Sequence, residues 1–219
     1  MTKHNIERQA PEECRVPENI PPKIKYRCIV ADPPWAKNQS SGDSKFGSAR
    51  NHYPLMSLDR IKQLPVADLA DDNAHLYLWA QNGNIDEALE VIEAWGFRYI
   101  TQIVWLKIRM GMGNYIRNVS EPCLFAVRGK LPPKCKNQIG LIVATPTGHS
   151  EKPRGAISLF ERVSPGPYLE LFCRRRPAST EKWDCWGNET EGGSDIYVPG
   201  FPVPVYKFET KKEEPKELS

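Results

Sequence analysis

The sequence has no stretch of about 18 apolar residues and no signal peptide at its start, so we expect neither a membrane span nor secretion. Its six cysteines show no C-x-x-C spacing, and several lie in apolar, strand-like runs. The pattern argues against a zinc or disulfide framework and predicts reduced, mostly buried thiols in a cytoplasmic protein without a metal site. No internal repeat is visible either.

The formal net charge is only +3, a weak excess that is compatible with nucleic acid but does not establish it. The basic residues are unevenly placed. Residues 107–136 contain seven Lys or Arg and one acid, Glu121, and Arg174, Arg175 and Arg176 form a second cluster. Such segments bind phosphates in some proteins and are solvated loops in others, and both interpretations stay open.

The chain has 219 residues, of which 40% are hydrophobic, which suits one globular domain. We place that domain at residues 24–206. The polar, Pro-rich residues 1–23 precede it, and the Lys- and Glu-rich residues 207–219 are predicted to be a disordered tail.

Short apolar runs alternate with helical patterns inside the domain. The predicted strands are residues 27–31, 75–79, 100–106, 123–127, 139–144 and 168–173. Most are continuous apolar runs, as expected of strands covered on both faces. This alternation predicts an α/β fold with a mostly parallel sheet and helices on both faces.

Three helices are predicted. One spans residues 58–64. Another follows Asn84 as N-cap, with Glu87 in the capping-box position. Its predicted apolar stripe comprises Ile85, Ala88, Leu89, Ile92 and Trp95. The last spans residues 153–163, with Pro153 in its first turn and a shared apolar face formed by Ile157, Phe160 and Val163.

The tetrapeptide Asp32-Pro33-Pro34-Trp35 directly follows the first predicted strand. Ligands of parallel α/β sheets bind beyond the carboxyl ends of the strands. A carboxylate and an outward carbonyl can accept hydrogen bonds from an –NH2 group, while an indole covers a planar ring. The tetrapeptide therefore suits an aromatic amine such as the edge of adenine, although a Pro-rich turn with Trp35 in the core would look the same.

Two long polar segments, residues 37–53 and 110–118, each follow a predicted strand end. Loops of this length in a compact domain are usually functional or disordered. We expect both to be mobile loops over a ligand site.

Further motifs accompany the tetrapeptide in a fixed order. They are Tyr53 with Met56-Ser57-Leu58; Leu76-Tyr77-Leu78-Trp79; Ile103-Val104-Trp105-Leu106-Lys107; Asn118, Glu121 and Cys123; Ser150-Glu151-Lys152-Pro153; Ile157, Glu161-Arg162-Val163-Ser164-Pro165-Gly166; Glu170-Leu171-Phe172-Cys173-Arg174; and Trp183, Trp186-Gly187-Asn188. Together they resemble the adenine-N6 methyltransferase family typified by the catalytic subunit of the eukaryotic mRNA m6A methyltransferase, the MT-A70 family. The resemblance covers about residues 26–190. It implies a Rossmann-like fold in permuted order, in which the catalytic motif precedes the strand that binds S-adenosyl-L-methionine (AdoMet).

The resemblance also implies roles for single residues in catalysis. Asp32, with the carbonyl of Pro33, is expected to hold the N6 amine of adenine. Pro34 shapes the turn, and Trp35 packs against the flipped base. Trp79 and Trp105 either wall the site from below or are ordinary core residues.

Implied contacts with AdoMet and the substrate follow from the same motifs. Lys152 is expected at the AdoMet carboxylate, and the further residues expected around the cofactor are Asp32, Glu170, Arg174, Asn188 and Glu189. The residues expected to contact the substrate are Tyr53, Lys107, Asn114, Arg117 and Asn118.

The chain departs from the family pattern at several positions. Arg175 and Arg176 stand where His-Asn is common, and Glu189 stands where Gln is common, which changes the available donors. The acidic residue that reads the AdoMet adenine has only Glu12 and Glu13 as candidates here.

Three functions agree with the motifs. The favoured one is N6-adenine methylation of DNA, because the compact chain shows no zinc-finger or coiled-coil extension. The alternatives are the same reaction on RNA and a non-catalytic nucleic-acid-binding subunit; cytosine-N4 methylation is disfavoured because Ser commonly replaces the Asp there. The sequence leaves open whether the protein is a homodimer or works with a partner subunit.

Overall fold

The computed structural model describes residues 24–36, 55–109, 115–147 and 151–203. In order, its elements are β1 (Tyr26–Ala31), α1 (Leu58–Lys62), α2 (Val66–Leu69), β2 (Ala70–Trp79), α3 (Ile85–Ala94), β3 (Arg98–Leu106), β4 (Ser120–Arg128), β5 (Leu141–Val143), α4 (Gly155–Val163), β6 (Tyr168–Leu171) and β7 (Trp183–Trp186). The predicted terminal segments 1–23 and 207–219 lie outside the described residues, as do the loop positions Tyr53 and Asn114.

Across the described ranges, the strands form one sheet in the order β5-β3-β4-β2-β1-β6-β7. β1 pairs in parallel with β2 and β6, β6 with β7, and β3 with β5, whereas β4 runs antiparallel to both β2 and β3. The predicted mostly parallel α/β sheet is confirmed. β4 is the exception, and it brings the start of a strand to the edge where its neighbours end.

Alternation of side chains along the strands divides the core into two layers. In β1, Ile29 and Ala31 belong to the layer under α1, α2 and α3, while Cys28 and Val30 belong to the layer under α4. Neighbouring side chains of a strand point to opposite faces, so these two layers lie on opposite faces of the sheet. Helices therefore cover both faces, as predicted.

All six predicted strands are present with shifted ends. The sequence predicted neither β7 nor α2. The strand predicted at residues 139–144 is reduced to Leu141–Val143. β7 was missed because it has only four residues, too few for a clear alternation.

The helix predictions need three corrections. The Asn84 side chain does not cap α3; its oxygen accepts from the Gln81 N–H at 2.7 Å, within the preceding turn. Leu89 of the predicted stripe is 38% exposed, and Val91 is buried instead. α4 begins at Gly155, so Pro153 precedes it and accepts from the Ala156 N–H at 2.9 Å.

The cysteine prediction is confirmed for four thiols: Cys28, Cys123, Cys173 and Cys185 are free and buried, while Cys135 is half-buried. No helix in the described part of the chain has the length and apolar character that crossing a membrane requires.

Candidate active site

A cavity of about 690 Å³ opens where the strands end. The predicted site residues on its wall are Asp32, Pro33, Pro34, Trp35, Lys107, Asn118, Lys152, Arg174, Asn188 and Glu189. Asp32 directly follows β1, Lys107 follows β3, and Asn188 lies just after β7. Their convergence is the geometric result of parallel strands that end at one edge.

The tetrapeptide Asp32–Trp35 forms a tightly bonded turn. The Pro33 carbonyl accepts from the Trp35 N–H at 2.9 Å, and the Pro34 carbonyl accepts from the Met56 N–H at 2.8 Å. Both carbonyls of the turn therefore already accept one backbone N–H. A carbonyl oxygen has two lone pairs, so the Pro33 oxygen keeps one for a further donor.

Trp35 belongs to the core as well as to the cavity wall. Its side chain is buried, and its indole N–H donates to the Trp79 carbonyl at 3.1 Å. This bond fixes the indole orientation, so Trp35 presents a fixed surface to the cavity. Trp35 is thus a core residue that also lines the cavity, and its contact with a base stays a prediction.

Four charged side chains form a continuous chain of ion pairs in the cavity. The Lys152 ammonium lies 2.8 Å from an Asp32 carboxylate oxygen and 2.9 Å from a Glu121 oxygen. The other Glu121 oxygen accepts from Lys107 at 2.5 Å. Two carboxylates thus alternate with two ammonium groups, and Lys152 is held by both acids.

This arrangement sets the protonation of the site. Burial raises the pKa of Asp32, and the charge of Lys152 opposes that rise. Burial also pushes the pKa of Glu121 up, but Lys152 and Lys107 outweigh it, and the net pKa is lowered. The pKa of Lys152 is raised, because the attraction of Asp32 and Glu121 exceeds the effect of burial. Lys152 therefore stays an ammonium and Glu121 a carboxylate at neutral pH.

Trp79 and Trp105 are core residues of the layer under α4. Their rings meet edge to face with centroids 6.3 Å apart. The Lys152 ammonium lies 5.5 Å from the Trp79 ring centroid, and Lys107 lies 4.6 Å from that of Trp105. The two indoles thus support the lysines from below, although neither lines the cavity.

Two predicted site residues lie away from the cavity wall. Arg117 is exposed outside it. Glu170 is partly buried in β6, where burial and then the charge of Asp32 raise its pKa to about 7. Tyr53 and Asn114, and the upstream acids Glu12 and Glu13, lie outside the described residues.

The basic segment at residues 107–136 does not form one continuous patch. β4 separates its two ends, with Ser120 at the cavity and Arg128 at the far end of a nine-residue strand. At about 3.4 Å per residue, the two ends of this strand lie roughly 27 Å apart. Arg128 donates instead to the Ala67 carbonyl at 2.6 Å. The strand predicted at residues 123–127 already implied this separation, because an extended chain carries its two ends far apart.

Three cavity residues stand in the motifs named above but had no predicted role at the site. Glu121 is the most important, and its signal was its position as the sole acid of the basic segment. Phe172 and Trp186 form an aromatic wall with ring centroids 5.4 Å apart. Phe172 has φ +61°, a left-handed conformation that is an outlier for a bulky residue and typical of functional sites.

Part of the cavity wall comes from the end of the described residues and was not predicted. Phe201 lines the cavity, and the Arg60 guanidinium lies 3.8 Å from its ring centroid and donates to the Gly200 carbonyl. The site thus continues beyond residue 190, where the resemblance ended.

Comparison with known proteins gives consistent matches. The model of the MT-A70 family matches residues 26–189. A Mycoplasma protein, Type II methyltransferase M.MunI, is 30% identical over 187 residues, which are 77% of this chain and 79% of that protein. Human N(6)-adenosine-methyltransferase catalytic subunit METTL3 is 29% identical over 181 residues, 77% of this chain and 29% of that protein. Mouse N(6)-adenine-specific methyltransferase METTL4 is 27% identical over 186 residues, 75% of this chain and 37% of that protein. The chain thus spans most of the Mycoplasma relative but well under half of the two mammalian ones.

Proposed function

Because the chain belongs to the MT-A70 family of methyltransferases, we propose that it methylates the exocyclic N6 of adenine in DNA, with AdoMet as methyl donor. The observation that carries this proposal is the meeting of Asp32, Lys152 and Glu121 in one cavity at the strand ends. All three residues lie inside the region that the family model matches.

The cavity suits AdoMet in size and in chemistry. Its volume of about 690 Å³ lies within the range of small-molecule sites, roughly 300–1,000 Å³. Lys152 offers an ammonium group for the AdoMet carboxylate. The indole N–H of Trp186 is buried without a hydrogen-bond partner among the described residues, so it is a donor that a polar ligand atom can satisfy. When bound, AdoMet supplies the electrophilic methyl group.

Asp32 acts on the amine. The lone pair of an aromatic amine is delocalised into the ring, which makes the nitrogen a poor nucleophile. Asp32 and the remaining lone pair of the Pro33 oxygen accept the two N–H groups and favour a pyramidal nitrogen. Asp32 also stabilises the positive charge that develops on the nitrogen during transfer. It then takes the proton itself or passes it to water.

Lys152 has a double role in this proposal. Its ammonium already neutralises Asp32 and Glu121 at 2.8 and 2.9 Å. An ammonium group has three N–H donors, so the third can donate to the carboxylate of AdoMet while both ion pairs remain. Lys152 thus holds Asp32 in place and binds the cofactor.

The choice of DNA rests on the extent of similarity. The Mycoplasma Type II methyltransferase is matched over 79% of its length and METTL3 over 29% of its own. The second candidate is the same reaction on RNA, which the name of METTL3, an N(6)-adenosine-methyltransferase, favours. In either case a base that is paired in a duplex has to be flipped out to enter the cavity, whereas a single-stranded base is already accessible.

A direct assay tests the proposal. The protein is incubated with isotope-labelled AdoMet and matched DNA and RNA oligomers, and the nucleosides are identified by mass spectrometry. Labelled N6-methyldeoxyadenosine supports the proposal, and labelled N6-methyladenosine in RNA alone supports the second candidate. AdoMet binding without any methylated nucleoside would indicate a non-catalytic subunit. The matched control is Asp32→Ala, which should produce no labelled nucleoside.

A further inference from the structure

Three ligand-type side chains meet beside the cavity, at the end of β6 and β7. Glu170 and Cys185 are direct partners in the parallel register of these strands, so their side chains share a face. Cys173 follows β6, where its N–H donates to the Trp186 carbonyl at 2.9 Å. One carboxylate oxygen and the two sulfur atoms all lie within 4.8 Å of one another.

This cluster combines the ligands that thiophilic divalent cations prefer. Zinc binds thiolate sulfur at about 2.3 Å and carboxylate oxygen at about 2.0–2.2 Å in tetrahedral geometry. Such a tetrahedron has edges of about 3.5–3.8 Å, so the three ligand atoms need to approach one another by only about 1 Å. Glu170 and Cys185 lie on adjacent strands, and the Cys173 backbone is bonded to Trp186, so the approach is a matter of side-chain rotation.

In the metal-free protein the Cys173 thiol donates to the Arg175 carbonyl at 3.3 Å. Cysteine binds a metal as thiolate and glutamate as carboxylate, so cation binding would displace the protons of these groups.

The nearest positive charge does not prevent cation binding. The positive charge of Arg176 interacts electrostatically with both cysteines. Its guanidinium, however, forms a two-point ion pair with Asp195, at 2.6 and 3.0 Å. Asp195 also accepts from the Cys185 N–H at 2.9 Å. The charge of Arg176 is thus largely compensated at this position.

We propose that Glu170, Cys173 and Cys185 form a binding site for a thiophilic divalent cation such as Zn²⁺ or Cd²⁺. The three side chains supply three ligands. Cys173 also lines the large cavity, which gives a cation a path to the cluster. This departs from the absence of a metal expected from the sequence, because the two cysteines are too far apart along the chain to match a zinc-ligand spacing.

The proposal does not depend on methyl transfer, and metal binding itself tests it. The full chain is treated with a chelator, desalted and titrated with Cd²⁺, and the ultraviolet thiolate-to-cadmium charge-transfer band is recorded. We expect one Cd²⁺ per chain and a band intensity corresponding to two thiolates. Glu170→Gln should weaken Cd²⁺ binding by at least about tenfold. The intensity of the charge-transfer band at saturation should stay the same, because both thiolates remain.

Matched cysteine variants locate the site. Cys173→Ser and Cys185→Ser should each halve the band at saturation and weaken binding, whereas the half-buried Cys135→Ser should change neither. The proposal is overturned if the Cys185→Ser variant keeps the full charge-transfer band, or if the Cys135→Ser variant loses it. If a serine variant does not fold, as judged by circular dichroism, the wild-type band decides: binding of less than one Cd²⁺ per chain also overturns it.

Discussion

The substitution Glu121→Gln tests the central ion-pair chain of the cavity. It removes the negative charge between Lys107 and Lys152 and keeps the size of the side chain. The Glu121 side chain is only 14% exposed, and its two oxygens lie 2.5 and 2.9 Å from the ammonium groups. We therefore expect a clear loss of stability, because two ammonium groups in a mostly buried site lose their shared counter-ion.

The expected size follows from the environment of each partner. Removal of one member of a fully buried ion pair costs about 3–5 kcal/mol. Here Lys152 keeps Asp32, Lys107 is 27% exposed and reaches water, and the Gln carbonyl still accepts a hydrogen bond. We expect the free energy of unfolding to fall by about 2 kcal/mol. For a chain of this length that corresponds to a Tm lower by about 4–8 °C.

Differential scanning calorimetry at neutral pH measures this loss. The matched control is Glu90→Gln, which breaks the Lys62–Glu90 pair at 3.0 Å on the surface, where the two side chains are 33% and 55% exposed. An exposed pair is worth less than about 1 kcal/mol, so this control should lower the Tm by no more than about 4 °C.

The pH dependence adds an independent check. The pKa of Glu121 is lowered in the folded protein, because Lys152 and Lys107 outweigh burial. The stabilisation is therefore fully present above the pKa of the unfolded chain, about 4.3, and is lost as the pH falls through the lower folded pKa. The Tm difference between wild type and Glu121→Gln should shrink on acidification below about pH 4. A variant as stable as Glu90→Gln at neutral pH would refute the reasoning.

Three further substitutions test separate parts of the site. Asp32→Ala should reduce methyl transfer at least about 10²-fold while AdoMet still binds in calorimetry; near wild-type methylation would exclude Asp32 from the chemistry. Lys152→Ala should weaken AdoMet binding by about tenfold to a hundredfold, and unchanged affinity would count against its role at the carboxylate. The pKa of Glu170 is raised to about 7, mainly by burial, so its ionisation destabilises the fold as the pH rises from about 4.3 to 7. The Tm of the wild type should therefore fall relative to Glu170→Gln over that interval, and the opposite slope would contradict the assigned environment.

The sequence predicts the central strands and the location of the cavity well, because both follow from local patterns. The apolar run before Asp32 is a buried strand, and the rule that ligands bind at carboxyl ends of parallel strands places Asp32 at the cavity. Lys152 and Asn188 were named from the resemblance to the MT-A70 family, which requires no knowledge of the tertiary structure.

Features that depend on antiparallel pairing or on contacts distant in sequence were not predictable. Glu121 enters the cavity because β4 runs against its neighbours, and a continuous apolar run does not reveal strand direction. Asn84 has a capping residue type, but its side chain bonds within the preceding turn. The Glu170–Cys173–Cys185 cluster depends on the β6–β7 register, which no spacing along the chain indicates.

The β3–β4 ladder has a consequence for how this protein can change. The backbone N–H of Lys107 donates to the Val119 carbonyl at 2.7 Å, and this bond closes the segment between the two strands at its base. Doubling the length of such a connection costs only about 0.6 kcal/mol of loop-closure entropy. A change in the length of this connection therefore leaves Lys107 and Glu121 in register. Asn118, near the end of the connection, lines the cavity, so variation there changes the cavity wall while the ion pairs stay in place.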